Sequence, residues 1–454
     1  MRDEVVNLGY LEGLDPIELI AFPSFLIVIL VWSNYISSKK KKLYPEYRYY
    51  TLGLAAKMFG AIAFCWVYTY YYKGGDTISY FESARAFVNL LLDDPSKFST
   101  VYFSAPSQEN MYLFSGKTGY PWGYMYFDKK TFWVIRIVTP FVFLGAKSYL
   151  LSTMWMALFA YSGIWKLFQL FVRYYPQMQK LFFFSVLLLP SAVFWGSGML
   201  KDTITLSGTC WFIYSFHEFF ISKKDRVKNG IVLIVAFIVI FSIKPYIIIA
   251  LLPGAIIWNF YSKILLIKSK FLRYSAIPFS MTMAVLLGYL FLSSVVGFSF
   301  ETLLEEAVIK QTDLKREAYQ GNSFDIGTYD ATFLGALGVS GPALVAGLFR
   351  PFIWDTKNVV MLLSGLENSI ILVMLIIVLW RKRIFGVFRY IFDHPLVFFC
   401  ITYSLIFSLI IGLSTSNFGA LVRFKIAFLP MFVSAIMVMY YYSGNRKYLN
   451  SKKN

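Results

Sequence analysis

Three observations predict an all-α, polytopic membrane protein. Of 454 residues, 58% are hydrophobic and 15% charged, whereas soluble domains carry about 25% charged residues. The apolar residues gather into eleven runs near the length a membrane helix needs, about 20 residues. The formal net charge of +18 is concentrated in alternate connections between those runs. Disorder is excluded by the apolar fraction. Nucleic acid is not needed as a partner once the charge is located.

The predicted spans are 17–36, 52–72, 148–171, 181–200, 203–221, 229–243, 245–262, 274–297, 358–380, 396–415 and 421–442. Segment 131–146 is apolar but short and interrupted by Arg136 and Pro140, so it is read as an interfacial or re-entrant helix. Segment 342–354 is shorter and holds Arg350 and Pro351. The connections 37–51, 172–180, 222–228, 262–273, 381–395 and the tail 443–454 hold 23 basic and three acidic residues. Basic loops stay in the cytoplasm, so the N-terminus is expected outside and the C-terminus inside. Residues 1–454 then form a single integral membrane domain with two large outer loops, 73–147 and 300–357. No sequence repeat of 20–50 residues is visible, and no match between halves of the chain. Cys65, Cys210 and Cys400 lie in separate apolar runs, so neither a disulfide nor a zinc site is expected. His217 beside Glu218 is assigned a structural role.

The chain leaves its second span through Tyr70, Tyr71, Tyr72, Lys73, Gly74 and Gly75 into Asp76. From there Ile78, Phe81, Ala84, Val88 and Leu91 recur at helical steps while Glu82, Arg85 and Asn89 fall on another face. That pattern predicts an amphipathic helix suited to the membrane surface, ended by Asp93, Asp94 and Pro95. Asp76 reads equally as an N-cap or as a carboxylate held at the membrane mouth to act as general base. Tyr120, Trp122, Tyr124, Tyr126 and Phe127 crowd the end of the same loop. They suit sugar stacking, and they also suit an interfacial aromatic belt.

An outer acidic residue followed by a juxtamembrane helix with the spacing Asp76, Tyr80, Ala84 resembles the GT-C superfamily of integral-membrane glycosyltransferases. The segment from Pro190 to Asp202 resembles the short helix and polar outer turn found mid-chain in those enzymes. Arg423 and Pro430 resemble their late Arg-and-Pro segment. Two departures stand out: Asp76 is followed by Thr77 where many relatives carry a second acid, and an extra N-terminal span precedes the catalytic loop. The resemblance implies a bacterial cytoplasmic membrane, a polyprenyl-phosphate-linked sugar donor and a glycan, lipid or protein acceptor. It places the catalytic base at Asp76 and leaves room for a divalent metal. No cofactor is expected, and no glycine-rich nucleotide loop is present.

Charged groups at membrane depth suggest function. Arg136, Lys201, Asp202, Lys244, Arg350 and Arg423 all fall at the outer side of the expected topology, where basic groups could hold a lipid phosphate. Each could instead reach singly to membrane lipids, and Lys201 with Asp202 could be a local ion pair. Glu367 stands mid-span, either in a structural buried pair or in a proton-relay or substrate role. A polysaccharide polymerase or ligase acting on lipid-linked repeats, and a transporter or flippase, are the rival readings.

Overall fold

The computed structural model describes residues 16–269, 300–315 and 323–444, with five single positions between 271 and 283. All but three residues of the span expected at 274–297 therefore lie outside the described residues. Among the described residues the regular structure is helical; one isolated antiparallel bridge joins Ser323 to Asn417. In chain order the main helices are α1 (Pro16–Lys40), α2 (Tyr50–Trp66), α3 (Asp76–Asp93), α4 (Pro95–Phe103), α5 (Lys129–Leu144), α6 (Tyr149–Tyr174), α7 (Pro190–Trp195) and α8 (Lys201–Phe216). They continue with α9 (Arg226–Ile243), α10 (Pro245–Leu265), α11 (Phe300–Asp313), α12 (Ser340–Phe349), α13 (Val359–Asp393), α14 (Pro395–Ser414), α15 (Phe418–Lys425) and α16 (Leu429–Gly444).

Six helices are long and apolar enough to cross a membrane, or seven if a bent pair counts as one span. Four of the other expected spans, all within the described residues, depart from a single long apolar helix for identifiable reasons. Segment 181–200 is broken by a π-turn at Phe183–Leu187 and restarts as α7 at Pro190, a residue suited to the first helical position because it has no N–H to satisfy. Segment 203–221 is helical, but Thr203, Thr205, Ser207, Thr209 and Ser215, all buried, dilute its apolar character. Segment 245–262 is apolar over Pro245–Tyr261 and falls just short. Segment 421–442 is the bent pair: α15 and α16 meet at 65°, because Pro430 cannot continue the backbone ladder and the chain turns at Ile426, Ala427 and Phe428. Helix α5 has 16 residues, below spanning length.

The chain divides into two compact units. The first comprises residues 1–179, 192–211 and 238–244. In it α2 packs on α6 and α3 on α5, while α1 leaves Ile27, Val28, Val31 and Trp32 exposed. The apolar face of α3 is enclosed by protein: Tyr80, Phe81, Ala84, Phe87 and Val88 are buried, and the Phe87 ring lies 6.0 Å from Phe132 of α5. The segment 193–198 presses on α2. A Cβ on Gly60 would collide with the Val193 carbonyl, and one on Gly198 with the Phe64 ring.

The second unit comprises residues 180–191, 212–237 and 245–454. Its centre is α14, against which α10, α12 and α16 pack. Small residues permit the approach of α12 and α14. Ala343 and Gly347 on one helix face Ser408 and Gly412 on the other, and a Cβ on either glycine would strike the opposite backbone. Where lipid tails are as apolar as leucine, such close backbone packing is what drives helices together.

The backbone contains a repeat that the sequence hides. Helix α2 runs into a π-turn at Val67–Tyr71, a left-handed Lys73 (φ 51°), the 18-residue α3 and a break before Pro95. Helix α8 runs into a π-turn at His217–Ile221, a left-handed Lys223 (φ 55°), the 18-residue α9 and a break before Pro245. Each step is displaced by 150 residues, 67 to 217 and 95 to 245. The turn hydrogen bonds recur as well: Tyr72 N–H to Val67 C=O at 2.9 Å and Ser222 N–H to His217 C=O at 2.8 Å. Between 51–95 and 201–245 only Lys73/Lys223, Ala86/Ala236, Phe87/Phe237 and Pro95/Pro245 share a residue type.

Candidate functional site

In the first unit, Asp76 owes its position to the turn before it. Gly74 (φ 146°) and Gly75 (φ 110°) adopt conformations that side chains resist, and a Cβ on Gly75 would stand 3.1 Å from the Tyr68 ring. Gly75 occupies the cap position and Asp76 is the first helical residue, which corrects the N-cap reading. Its carboxylate is exposed at the positive end of α3. Along the same face, the Tyr124 hydroxyl donates to Ser79 Oγ at 2.9 Å and Trp122 Nε1 donates to Glu82 Oε2 at 2.6 Å. Partial burial, with the nearby charges of Asp76 and Glu82, pushes the Tyr124 phenol above its usual range against the opposing bond with Ser79. The result is an acidic, aromatic rim made of Asp76, Ser79, Glu82, Trp122 and Tyr124.

Arg136, Lys201 and Lys244 of this unit are engaged at helix joints. Arg136 donates to the Ser104 carbonyl and lies over the Phe132 and Trp133 rings at 4.3 and 5.3 Å, pinning the end of α4 on α5. Lys201 reaches Thr131 Oγ1 at 2.8 Å and Asp128 Oδ2 at 3.7 Å. Asp128 caps α5 through the Lys130 and Thr131 amides. Burial raises its carboxyl, but the Thr131 hydroxyl and the Lys201 charge outweigh that and hold it below the usual carboxylate range. Asp202 pairs at 2.5 Å with Lys244, 42 residues away, and both are buried. Neighbours in sequence, Lys201 and Asp202 thus have separate long-range partners.

Lys57 was not identified from sequence. It is 2% exposed in α2 and donates to the carbonyls of Ala192 and Gly196, the negative end of α7. A lone lysine in an apolar run was the available signal.

In the second unit, Glu367 is buried in α13 and its Oε2 accepts from Ser191 N–H at 2.9 Å. The adjacent Asn368 accepts from Lys425 Nζ at 2.9 Å and donates to the Pro351 carbonyl at 3.1 Å. Lys425 also donates to the Arg350 carbonyl at 3.0 Å. The Arg350 side chain points elsewhere, 3.8 Å from Asp355 and 5.6 Å from the Phe324 ring centre. Arg423 is half-buried in the last turn of α15. The structure therefore gathers Glu367, Asn368 and Lys425 around the end of α12.

His217 and Glu218 form a buried pair, Nδ1 to Oε1 2.8 Å, with Trp258 5.5 Å from the imidazole ring. Among the described residues no group of three or more His, Cys, Asp or Glu is placed to hold a metal ion. No protein-family model, curated protein or solved structure matches the chain.

Proposed function

We propose that the chain is a glycosyltransferase of a bacterial cytoplasmic membrane, with eleven spans, an outer N-terminus and a cytoplasmic C-terminus. It transfers a sugar from a polyprenyl-phosphate donor to a hydroxyl of a glycan, lipid or protein at the outer face. The observation that carries this reading is the exposed Asp76 on a rim that also presents Glu82, Trp122 and Tyr124. Carboxylates and aromatic rings are the groups that address sugar hydroxyls and sugar faces.

In the reaction, Asp76 takes the proton of the acceptor hydroxyl as that oxygen bonds to the anomeric carbon. The bond from that carbon to the phosphate oxygen breaks with inversion, and polyprenyl phosphate leaves with the electron pair. Among the basic groups of the same unit, Arg136 and Lys201 are assigned to the departing phosphate. Lys244 is engaged with Asp202. The test is sugar transfer by the full chain in proteoliposomes supplied with a polyprenyl-phosphate-linked sugar. Asp76→Asn is expected to lower the rate by about 10²–10⁴-fold with donor binding retained. Undiminished transfer by this variant ends the reading.

A transporter or flippase is the second reading, favoured by the 150-residue backbone repeat, since internal repeats are common in secondary transporters. Flux that survives Asp76→Asn and is abolished by Glu367→Gln selects it.

A further inference from the structure

Lys425 stands at the bend between α15 and α16 and joins three pieces of chain. Its ammonium holds the carbonyl of Arg350, at the end of α12, and the amide oxygen of Asn368, in α13. Half-helix ends with exposed carbonyls are places where membrane proteins coordinate cations. Here the cation is tethered to the chain itself.

Immediately before Asn368 in α13, Glu367 is 7% exposed. Its Oε2 accepts the Ser191 amide, whereas Oε1 is buried with no hydrogen-bond partner among the described residues. Glu367 and Lys425 act on each other electrostatically without direct contact, as the partners of Lys425 are the two oxygens named. An ionised carboxylate at this depth with one oxygen unserved is expensive. A proton on Oε1 neutralises it and leaves the Ser191 bond intact.

We propose that Glu367 Oε1 is a proton-binding site, and that its occupancy sets how firmly Lys425 latches the bend of the last span to the ends of α12 and α13. With Glu367 ionised, the ammonium is held by charge and by two acceptors. With Glu367 neutral, only the acceptors remain. Other charged or titratable groups on the elements around the latch are Arg423 on α15, Arg350 and Asp355 beyond α12, and Cys400 and Tyr403 on α14, with Arg381, Lys382, Arg383, Arg389 and Asp393 farther along α13 and Tyr440, Tyr441 and Tyr442 near the end of α16. Arg350 is engaged by Asp355, and the Tyr403 hydroxyl donates to the Ala427 carbonyl at 3.1 Å. Proton uptake at Glu367 is therefore the event that changes the balance. The proposal stands independently of the glycosyltransferase reading.

The experiment is pH-dependent infrared difference spectroscopy on the full chain in lipid, paired with amide exchange over residues 418–428. The wild type is expected to show a titrating protonated-carboxyl band that Glu367→Gln removes. Lys425→Met is expected to move the midpoint of that band relative to the wild type, the effect of losing a nearby opposite charge. Lys425→Arg is expected to keep the wild-type titration. Exchange over 418–428 is expected to be several-fold faster in Glu367→Gln than in the wild type above the midpoint of that titration, and equal below it. A band that survives Glu367→Gln, or a titration indifferent to Lys425→Met, overturns the proton site. Unchanged exchange in Glu367→Gln overturns the latch. Should Lys425→Met not fold, the comparison of Glu367→Gln with Lys425→Arg still decides both points.

Discussion

Replacing Lys244 with methionine should reveal how much of the first unit depends on one ion pair. Methionine is close to lysine in length, so the change removes the ammonium with little loss of packing. Asp202 is 2% exposed and Lys244 5% exposed, and their 2.5 Å contact joins the start of α8 to the end of α9. Water cannot replace the lost partner at such burial, and breaking a buried pair from one side costs about 3–5 kcal/mol. Since about 1.4 kcal/mol is a factor of ten, the folded population falls by more than two orders of magnitude relative to the unfolded. The assay is reversible unfolding of the full chain in mixed micelles for Lys244→Met, Asp202→Asn and the double variant. The double variant should recover part of the loss, with a coupling of about 1–3 kcal/mol. Single effects below about 1 kcal/mol that simply add would refute the argument, because the pair would then be no better than a solvated one.

Gly347→Val and Gly412→Val should each destabilise the second unit, since their Cβ atoms would meet the Ser408 and Ala343 backbones. Overpacking of this kind costs about 1–3 kcal/mol or more, while Gly116→Ala, with open space around it, should be neutral in the same thermal unfolding assay. Asp128 gives a pH prediction. Its carboxyl is held down in the folded chain, so its contribution is present above the unfolded carboxylate range and lost as pH falls through the folded value. Asp128→Asn should flatten that acid limb of the stability profile. Arg136→Ala should loosen residues 100–104, seen as faster amide exchange there with α3 unaffected.

The helical class was legible because it rests on composition and run length alone. Continuity of the helices was less so. Hydropathy passed smoothly over Pro190 and Pro430, yet each marks a place where the backbone ladder stops. Asp76 was legible from the glycines that precede it. The pairing of Asp202 with Lys244 was not, because no local pattern links residues 42 apart. Lys57 was overlooked because its apolar neighbours set the average of its window. Arg350 stands out in the sequence for its guanidinium, whereas the bond from Lys425 to its backbone carbonyl has no local signal. Only long-range geometry distinguishes those two uses of one residue.

The paired segments built on α2–α3 and α8–α9 make a natural comparison of what backbone and side chains each decide. The polar positions of α3, namely Glu82, Arg85 and Asn89, fall at Val232, Val235 and Val239 of α9. Signs reverse at the ends, Asp76 against Arg226 and Asp94 against Lys244. Helix α9 is apolar enough to cross a bilayer and α3 is not, although both have 18 residues and the same entry and exit turns. One chain trace has therefore been given two environments by exchanging nearly all of its side chains. The turn geometry is the invariant, and solvent preference is a coating laid over it.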